Sequence, residues 1–306
     1  MFTYGDDRVS AVVLAYSREK ILPDLIEALR NQSRKPDEII VINQGSNPVI
    51  ASWLARQNDL TVIVQENLGS AGGFCRGIEE SIQRGHGWTW IFDDDAIPGL
   101  TALEELANCP YFKRQQTAFL GSRIIDRNGR TYMSPGGSDS TAWYGTVLED
   151  KCVEAVDGCW LGLLVNTRAV YEAGLPVAEF FLWDEDREFI SRLARHGKGY
   201  CVLTSVITHF QDDNFDAFGK DFIKIAYYAR NHVARAKLVP SSFMVRILRV
   251  TREVFRLSLR VLKGEWPLRV FPWILKGAFL FSPRIRYVDQ NAVSGAINAA
   301  RGLMNR

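Results

Sequence analysis

Cysteine and histidine are scarce in this 306-residue chain, and neither is spaced to hold a fold together. The five cysteines (Cys75, Cys109, Cys152, Cys159 and Cys201) include no CxxC pair and leave one over. A disulfide framework is therefore not expected, whereas a reducing cytoplasm is. Four scattered histidines give no structural zinc pattern either. The N-terminus has no basic segment leading into an apolar run, so no signal peptide is expected. The longest apolar stretch, Val270 to Phe281, is broken by Pro272 and Lys276 and is too short to span a bilayer. A Walker loop is missing as well: no Gly-Lys-Ser/Thr follows a glycine-rich turn, and GxGxxG spacing does not occur.

The net charge of +2 conceals a split. Residues 1–215 carry 20 Lys and Arg against 30 Asp and Glu, whereas residues 216–306 carry 17 against 5. We expect an acidic domain over 1–215 and a basic, mainly helical region over 216–306 that meets something anionic. Within the latter, Phe243 to Lys263 sets Arg246, Arg249, Arg252, Arg256, Arg260 and Lys263 as a helical stripe opposite Met244, Ile247, Val254 and Val261. Such a helix lies on an anionic membrane surface, or packs its charged face on the acidic domain or on a second copy.

The first third alternates strands and helices. Val9–Tyr16, Glu38–Ile42 and Leu60–Val64 are apolar and β-branched, with helical spacing over Ile21–Asn31 and Val49–Gln57 between them. This order predicts an α/β fold, a mostly parallel sheet with helices on both faces, and a ligand site beyond the carboxyl ends of the strands. Those ends carry Tyr16-Ser17-Arg18 and Asn43-Gln44-Gly45-Ser46. The run Asn67-Leu68-Gly69-Ser70-Ala71-Gly72-Gly73 then leads into a helix expected over Phe74–Arg84; it reads either as a plain helix start or as a loop that lets a ligand approach the backbone. Further on, Ala118–Ile125 and Ala155–Val165 read as strands, Ser134–Ser138 as a loop, and Gly199–Leu203 and Val206–Phe210 as two short strands.

Two acidic constellations stand out. Trp88–Phe92 is an aromatic strand that runs straight into Asp93-Asp94-Asp95. Alternation on an extended chain points Asp93 and Asp95 the same way, so the triplet is either a solvated acidic turn or a hard-oxygen site for Mg²⁺ or Mn²⁺. The second, Trp183-Asp184-Glu185-Asp186-Arg187-Glu188, opens a helix. Acids there satisfy the positive helix end, and one could act as a general base on a hydroxyl.

In this order the segments resemble the family 2 inverting glycosyltransferases of GT-A fold, and within them the galactofuranosyl- and rhamnosyl-transferase branch. The resemblance covers roughly residues 8–235. It implies a divalent cation, Mn²⁺ or Mg²⁺, held by Asp93, Asp95 and His209 against the diphosphate of a nucleotide sugar. It also implies Asp186 as catalytic base, or Glu185 if the register is shifted by one. Tyr16, Arg18, Asn43, Asn67, Gly72, Gly73 and Asp94 would line the donor, and Trp160, Trp183 and Asp184 the acceptor. Asn43 departs from the family, which usually has an acid there; its amide can still pair with a uracil or thymine edge. The implied partners are a UDP- or dTDP-linked donor and a glycan or lipid-linked acceptor, with no nucleic acid, and the implied place is the cytoplasmic face of the membrane. UDP-galactofuranose is the first donor expected and dTDP-rhamnose the alternative. A non-catalytic sugar-nucleotide scaffold would not need a base, and a nucleotidyltransferase would need a glycine-rich basic loop after the first strand, which Ala15-Tyr16-Ser17-Arg18 lacks.

Overall fold

The computed structural model describes residues 7–45, 47–133, 143–210 and 221–289, so Ser46 and the Ser134–Ser138 loop lie outside the described residues. The chain opens with β1 (Val9–Ala15), α1 (Leu22–Arg30), β2 (Glu38–Asn43), α2 (Pro48–Leu54), β3 (Leu60–Val64), α3 (Gly69–Gln83) and β4 (Trp88–Asp93). β5 (Ala96–Pro98), α4 (Ala102–Asn108), β6 (Thr117–Ile125), β7 (Thr131–Met133), α5 (Trp143–Leu148), β8 (Cys152–Ala155) and β9 (Leu161–Asn166) follow. The remainder comprises α6 (Thr167–Ala173), α7 (Glu185–Leu193), β10 (Lys198–His209), α8 (Phe222–Leu238), α9 (Phe243–Leu262) and α10 (Phe271–Leu275).

One sheet runs through the first domain in the order β3-β2-β1-β4-β9-β6-β10-β5, with β7 on β6 and β8 on β10. Its β3-β2-β1-β4 half is parallel, as right-handed strand–helix–strand units require. The other half is mixed: β9 runs antiparallel to β4 and β6, while β6 and β10 are parallel. β1 is buried at every position because both of its faces are covered. Alternation sends Val9, Ala11, Val13 and Ala15 into a core with α1, α2 and α4. Val12 and Leu14 enter the opposite core with α3, α6 and α7. α1 contributes Leu22, Leu25, Ile26 and Leu29, all fully buried; each is worth about 1.5–3 kcal/mol by transfer from water, an upper estimate.

Four local features differ from the sequence expectation. α3 begins at Gly69 rather than Phe74, so the glycine run is the first turns of the helix. A Cβ on Gly73 would strike Leu14, and one on Gly77 would strike Val12, so these glycines let α3 lie close on β1. The stretch 155–165 is two strands separated by Asp157-Gly158-Cys159: β8 pairs with β10, and β9 lies between β4 and β6. Conversely, the two short strands expected near 200 are one strand, β10, whose register on β6 jumps between Val202 and Val206. The bulged Ser205 bonds Ala102 O at 2.9 Å and Ser122 Oγ at 2.8 Å, so its buried hydroxyl is satisfied. On α9, Val261 is buried and Val254 half-buried, as expected of the face opposite the arginines, but Met244 and Ile247 are exposed.

The C-terminal helices have their own core, built from Ile225, Ala229, Val233, Leu257, Val261, Trp266, Val270 and Ile274. They are nevertheless bound to the first domain. Arg286 pairs with Glu79 on α3, its carbonyl accepts from Leu175 N at 2.8 Å, and Val288 joins the core under α3 and α7.

Gly69 tests the close approach at the start of α3. Its φ is +70°, and a Cβ would run into the backbone carbonyl of Phe181. Gly69→Ala is expected to cost more than about 2 kcal/mol in urea unfolding. Gly129→Ala, at φ +77° with open space around it, is expected to cost only about 1 kcal/mol.

Candidate active site

The parallel strands end side by side. Asp93 on β4 is in register with Leu14 on β1, and Asn43 on β2 with Ala15, so Tyr16, Arg18, Asn43 and the acid triplet share one edge of the sheet. After the turn at Asp94-Asp95, β5 pairs antiparallel with β10, Ala96 opposite His209. That register delivers His209 to Asp95: Nε2 lies 3.0 Å from Oδ2, and Phe210 N donates to Asp95 O at 2.8 Å. Arg18 closes the cluster from β1, bonding Asp95 and standing 3.4 Å from Asp94, whose carboxylate also takes Tyr16 N at 3.3 Å.

Charge in this cluster is unevenly compensated. Burial, then Asp95, Asp94 and Glu185, push the Asp93 carboxyl well above the ordinary range, with Arg18 opposing. Burial also raises Asp94, again against Arg18. Burial acts to raise Asp95 too, but His209 and Arg18 outweigh it and hold this carboxyl low. Among the described residues no three His, Cys, Asp or Glu side chains are gathered as a cation cage. Asp95 and His209 are hydrogen-bonded to each other, and their oxygen and nitrogen are donor types that suit Mn²⁺ or Mg²⁺; Asp93 beside them has its carboxyl raised by burial, then by Asp95 and Asp94.

The second acidic group faces the first. Glu185 begins α7, buried, accepting from Ser70 Oγ on α3 and from Trp160 Nε1 at 3.4 Å. Its other oxygen, Oε2, is buried without a hydrogen-bond partner. Burial lifts its carboxyl from 4.5 to about 7, with Ser70 and Trp160 pulling the other way. Asp186 is half-buried, accepts from Arg187 N at 2.7 Å, and is raised well above the usual range by burial and by Glu185. The Cys159 thiol is pushed up by burial, then by Asp186 and Asp93, so both acidic groups lie near it. Trp160 packs with tilted rings against Phe74 at 4.8 Å and Phe189 at 5.6 Å, so the indole that holds Glu185 is itself fixed.

Other expected residues serve the frame. Asn43 Oδ1 accepts from Gly45 N at 3.0 Å, and Asn67 Oδ1 from Gly69 N at 2.9 Å, each closing a local turn. A Cβ on Gly72 would strike Leu68. Asp184 is buried and turned to α8, 3.0 Å from Arg235 Nε and 3.5 Å from His232 Nδ1. Trp183 is half-buried at φ +68°. Sequence reasoning missed Ser70, Gln44 and Asn231. Gln44 bridges the ends of β2 and α3, donating to Gly69 O at 3.1 Å and accepting from Leu68 N at 2.9 Å. Its signal was a buried amide directly after a strand; Ser70 was hidden inside the glycine run, and Asn231 had no local signal.

The sheet thus gathers two carboxylate groups at its strand ends, one beside a histidine and one opening a helix. Residues 10–149 match Glycosyl transferase family 2, and the chain carries that family's domain on a GT-A fold. Galactofuranosyltransferase GlfT1 of Mycolicibacterium smegmatis is 27% identical over 224 residues, 68% of this chain and 72% of that protein. GlfT1 of Mycobacterium tuberculosis is 24% identical over 223 residues, covering 68% of this chain and 72% of the relative. In fold the chain is similar to GalNAc-T7, solved with UDP, GalNAc and Mn²⁺ (TM-score 0.59, 12% identity, 85% of this chain and 58% of that one). It is also similar to S. aureus TarS 1-349 in complex with UDP-GlcNAc (TM-score 0.53, 12% identity, 90% and 73%). The chain is thus a glycosyltransferase homologous to galactofuranosyltransferases at modest identity.

The raised carboxyls make stability depend on pH in a defined sense. A carboxyl with a folded pKa above its unfolded value keeps its proton in the fold where the unfolded chain has lost it. Stability therefore falls as pH rises from about 4.5 to about 7. Glu185→Gln is expected to remove roughly 2–4 kcal/mol of that fall, read by urea unfolding without nucleotide on either side of the window. An unchanged slope would mean that Glu185 titrates normally.

Proposed function

We propose that this protein is a metal-dependent inverting glycosyltransferase that moves galactofuranose from UDP-galactofuranose to a hydroxyl of a glycan or lipid-linked acceptor. The observation that carries the reading is the pair of acidic groups at the strand ends: Asp95 bonded to His209 beside Asp93, and the buried Glu185 with Asp186 at the start of α7, close enough that Glu185 acts on Asp93. Homology to galactofuranosyltransferases supports the donor sugar. dTDP-rhamnose is the alternative, because Asn43 can meet either pyrimidine.

Asp93, Asp95 and His209 would hold Mn²⁺ or Mg²⁺, which supplies charge neutralisation for a departing diphosphate. Arg18, now on Asp94 and Asp95, becomes free to meet phosphate oxygens once those carboxylates are otherwise engaged. Asp186 takes the proton of the acceptor hydroxyl as its oxygen attacks the anomeric carbon from the face opposite the leaving nucleotide, so configuration inverts. Glu185, clamped by Ser70 and Trp160, is its neighbour on α7 and, after burial, raises the proton affinity of Asp186. We assign the boundary near residue 215 to the passage from this catalytic domain to a basic region whose partner is the anionic inner face of the cell membrane.

Thermal shift with Mn²⁺ and a panel of UDP and dTDP compounds tests the donor. A metal-dependent rise with UDP ligands is expected, of a size set by concentration over Kd. A rise with dTDP ligands alone would move the assignment to rhamnosyl transfer, and no rise with either would overturn it. Asp186→Asn is expected to lower transfer at least about 100-fold while donor binding stays nearly intact. If Glu185→Gln behaves that way instead, Glu185 is the base.

A further inference from the structure

α9 is the most exposed apolar element of the described residues, and its residues sort into three sectors. Leu257, Val261 and the helix's single acid, Glu253, are buried; Glu253 meets His232 at 3.2 Å and Arg256 at 2.8 Å. At about 100° per residue, Met244, Leu248, Phe255 and Leu262 fall together in a second sector roughly 40° wide. Each is between 64% and 75% exposed. Arg252, Arg256 and Lys263 fill the sector beside them, also exposed. Arg252 and Arg256 share the one Glu253 carboxylate, so this flank keeps a positive surplus.

Nothing in the fold asks for that second sector. A helix packed on one side needs one apolar face, and α9 already has it in Leu257 and Val261. Four large apolar side chains held in water along about 27 Å of helix are a standing cost. Their cationic flank matches the headgroup layer of an anionic bilayer, where the apolar sector would enter the acyl boundary and the arginines would stay at phosphate level. No helix among the described residues is long and apolar enough to cross a membrane, so the fit is to lying in the surface. We infer that α9 is a membrane-docking helix that immerses Met244, Leu248, Phe255 and Leu262 and sets Arg252, Arg256 and Lys263 against lipid phosphates. This rests on the membrane partner proposed above and gives it a surface and an orientation.

Vesicle co-sedimentation of the full chain tests it, using phosphatidylcholine alone and phosphatidylcholine with phosphatidylglycerol. Wild type is expected to sediment with the mixed vesicles only, and less so as salt rises. Leu248→Asp with Phe255→Asp is expected to lower partitioning at least about ten-fold. Both side chains are exposed, so the variant is expected to keep the thermal midpoint and the UDP-induced shift. Wild type that sediments with neither vesicle overturns the membrane partner and this inference together. Wild type that binds while the double variant binds equally overturns the immersed sector alone. A dimer in light scattering that the variant splits, without vesicle binding, assigns the sector to a second copy and also overturns it.

Discussion

The site hangs on the strap that α8 puts on the segment before Glu185. Phe181, Trp183 and Asp184 all have positive φ, a conformation that costs about 1–3 kcal/mol for each side chain larger than glycine. Such a run persists only where its surroundings fix it. Here the buried Asn231 amide lies within 2.9 Å of the carbonyls of Phe180, Leu182 and Trp183, and Arg230 donates to Glu179 O and Phe180 O. Arg230 also grips Asn231 Oδ1, which fixes the direction of the amide. Without this strap the segment would relax, the start of α7 would move, and Glu185 and Asp186 would lose their station opposite Asp93.

The site's electrostatics follow from the same arrangement. Four carboxyls, Asp93, Asp94, Glu185 and Asp186, are raised by burial first and by neighbouring acids second, whereas Asp95 alone is held low. Arg18 pairs directly with Asp94 and Asp95, and His209 bonds Asp95, whereas on Asp93 the pull of Arg18 is weaker than the push of the neighbouring acids. A site built this way stabilises added positive charge near Asp93. It also leaves Glu185 on the far wall with a carboxyl lifted by burial to about 7, a property that suits the proposed proton transfer from an acceptor hydroxyl. The proposed separation of a cation side from a base side therefore follows from the direct pairing of Arg18 and His209 with Asp95 and not with Glu185 or Asp186.

Strand ends were legible in the sequence because the parallel half of the sheet is buried on both faces and spells its strands as unbroken apolar runs. Val9–Ala15 and Glu38–Asn43 place Tyr16, Arg18 and Asn43 by that signal alone, and the aromatic strand does the same for Asp93. The mixed half was less legible. β10 carries a bulge at Leu203–Ser205 that imitates a strand break, while Gly158 interrupts a run whose two parts pair with different neighbours. The glycine run looked like a ligand loop, but much of its glycine content is spent on packing against Leu14, Val12 and Phe181. Positive φ at Phe181, Trp183 and Asp184 could not be read locally, because it is imposed by Asn231 about fifty residues further along the chain.

That distance also bears on the division near residue 215. The charge asymmetry and the separate core of Ile225, Val233, Leu257 and Trp266 mark the C-terminal helices as a unit. Yet Asn231 and Arg230 shape the segment before α7, and Arg235 pairs with Asp184, one residue before Glu185, with His232 Nδ1 3.5 Å from the same carboxylate. His232 in turn meets Glu253 and Arg256 on α9. A continuous chain of charged contacts thus joins the outer helix to the residue beside the base, through side chains that are mostly buried and poorly screened. The C-terminal region is therefore a structural part of the proposed site, so a chain cut after residue 215 is expected to keep the ends of β1, β2 and β4 and to lose the contacts that hold the start of α7.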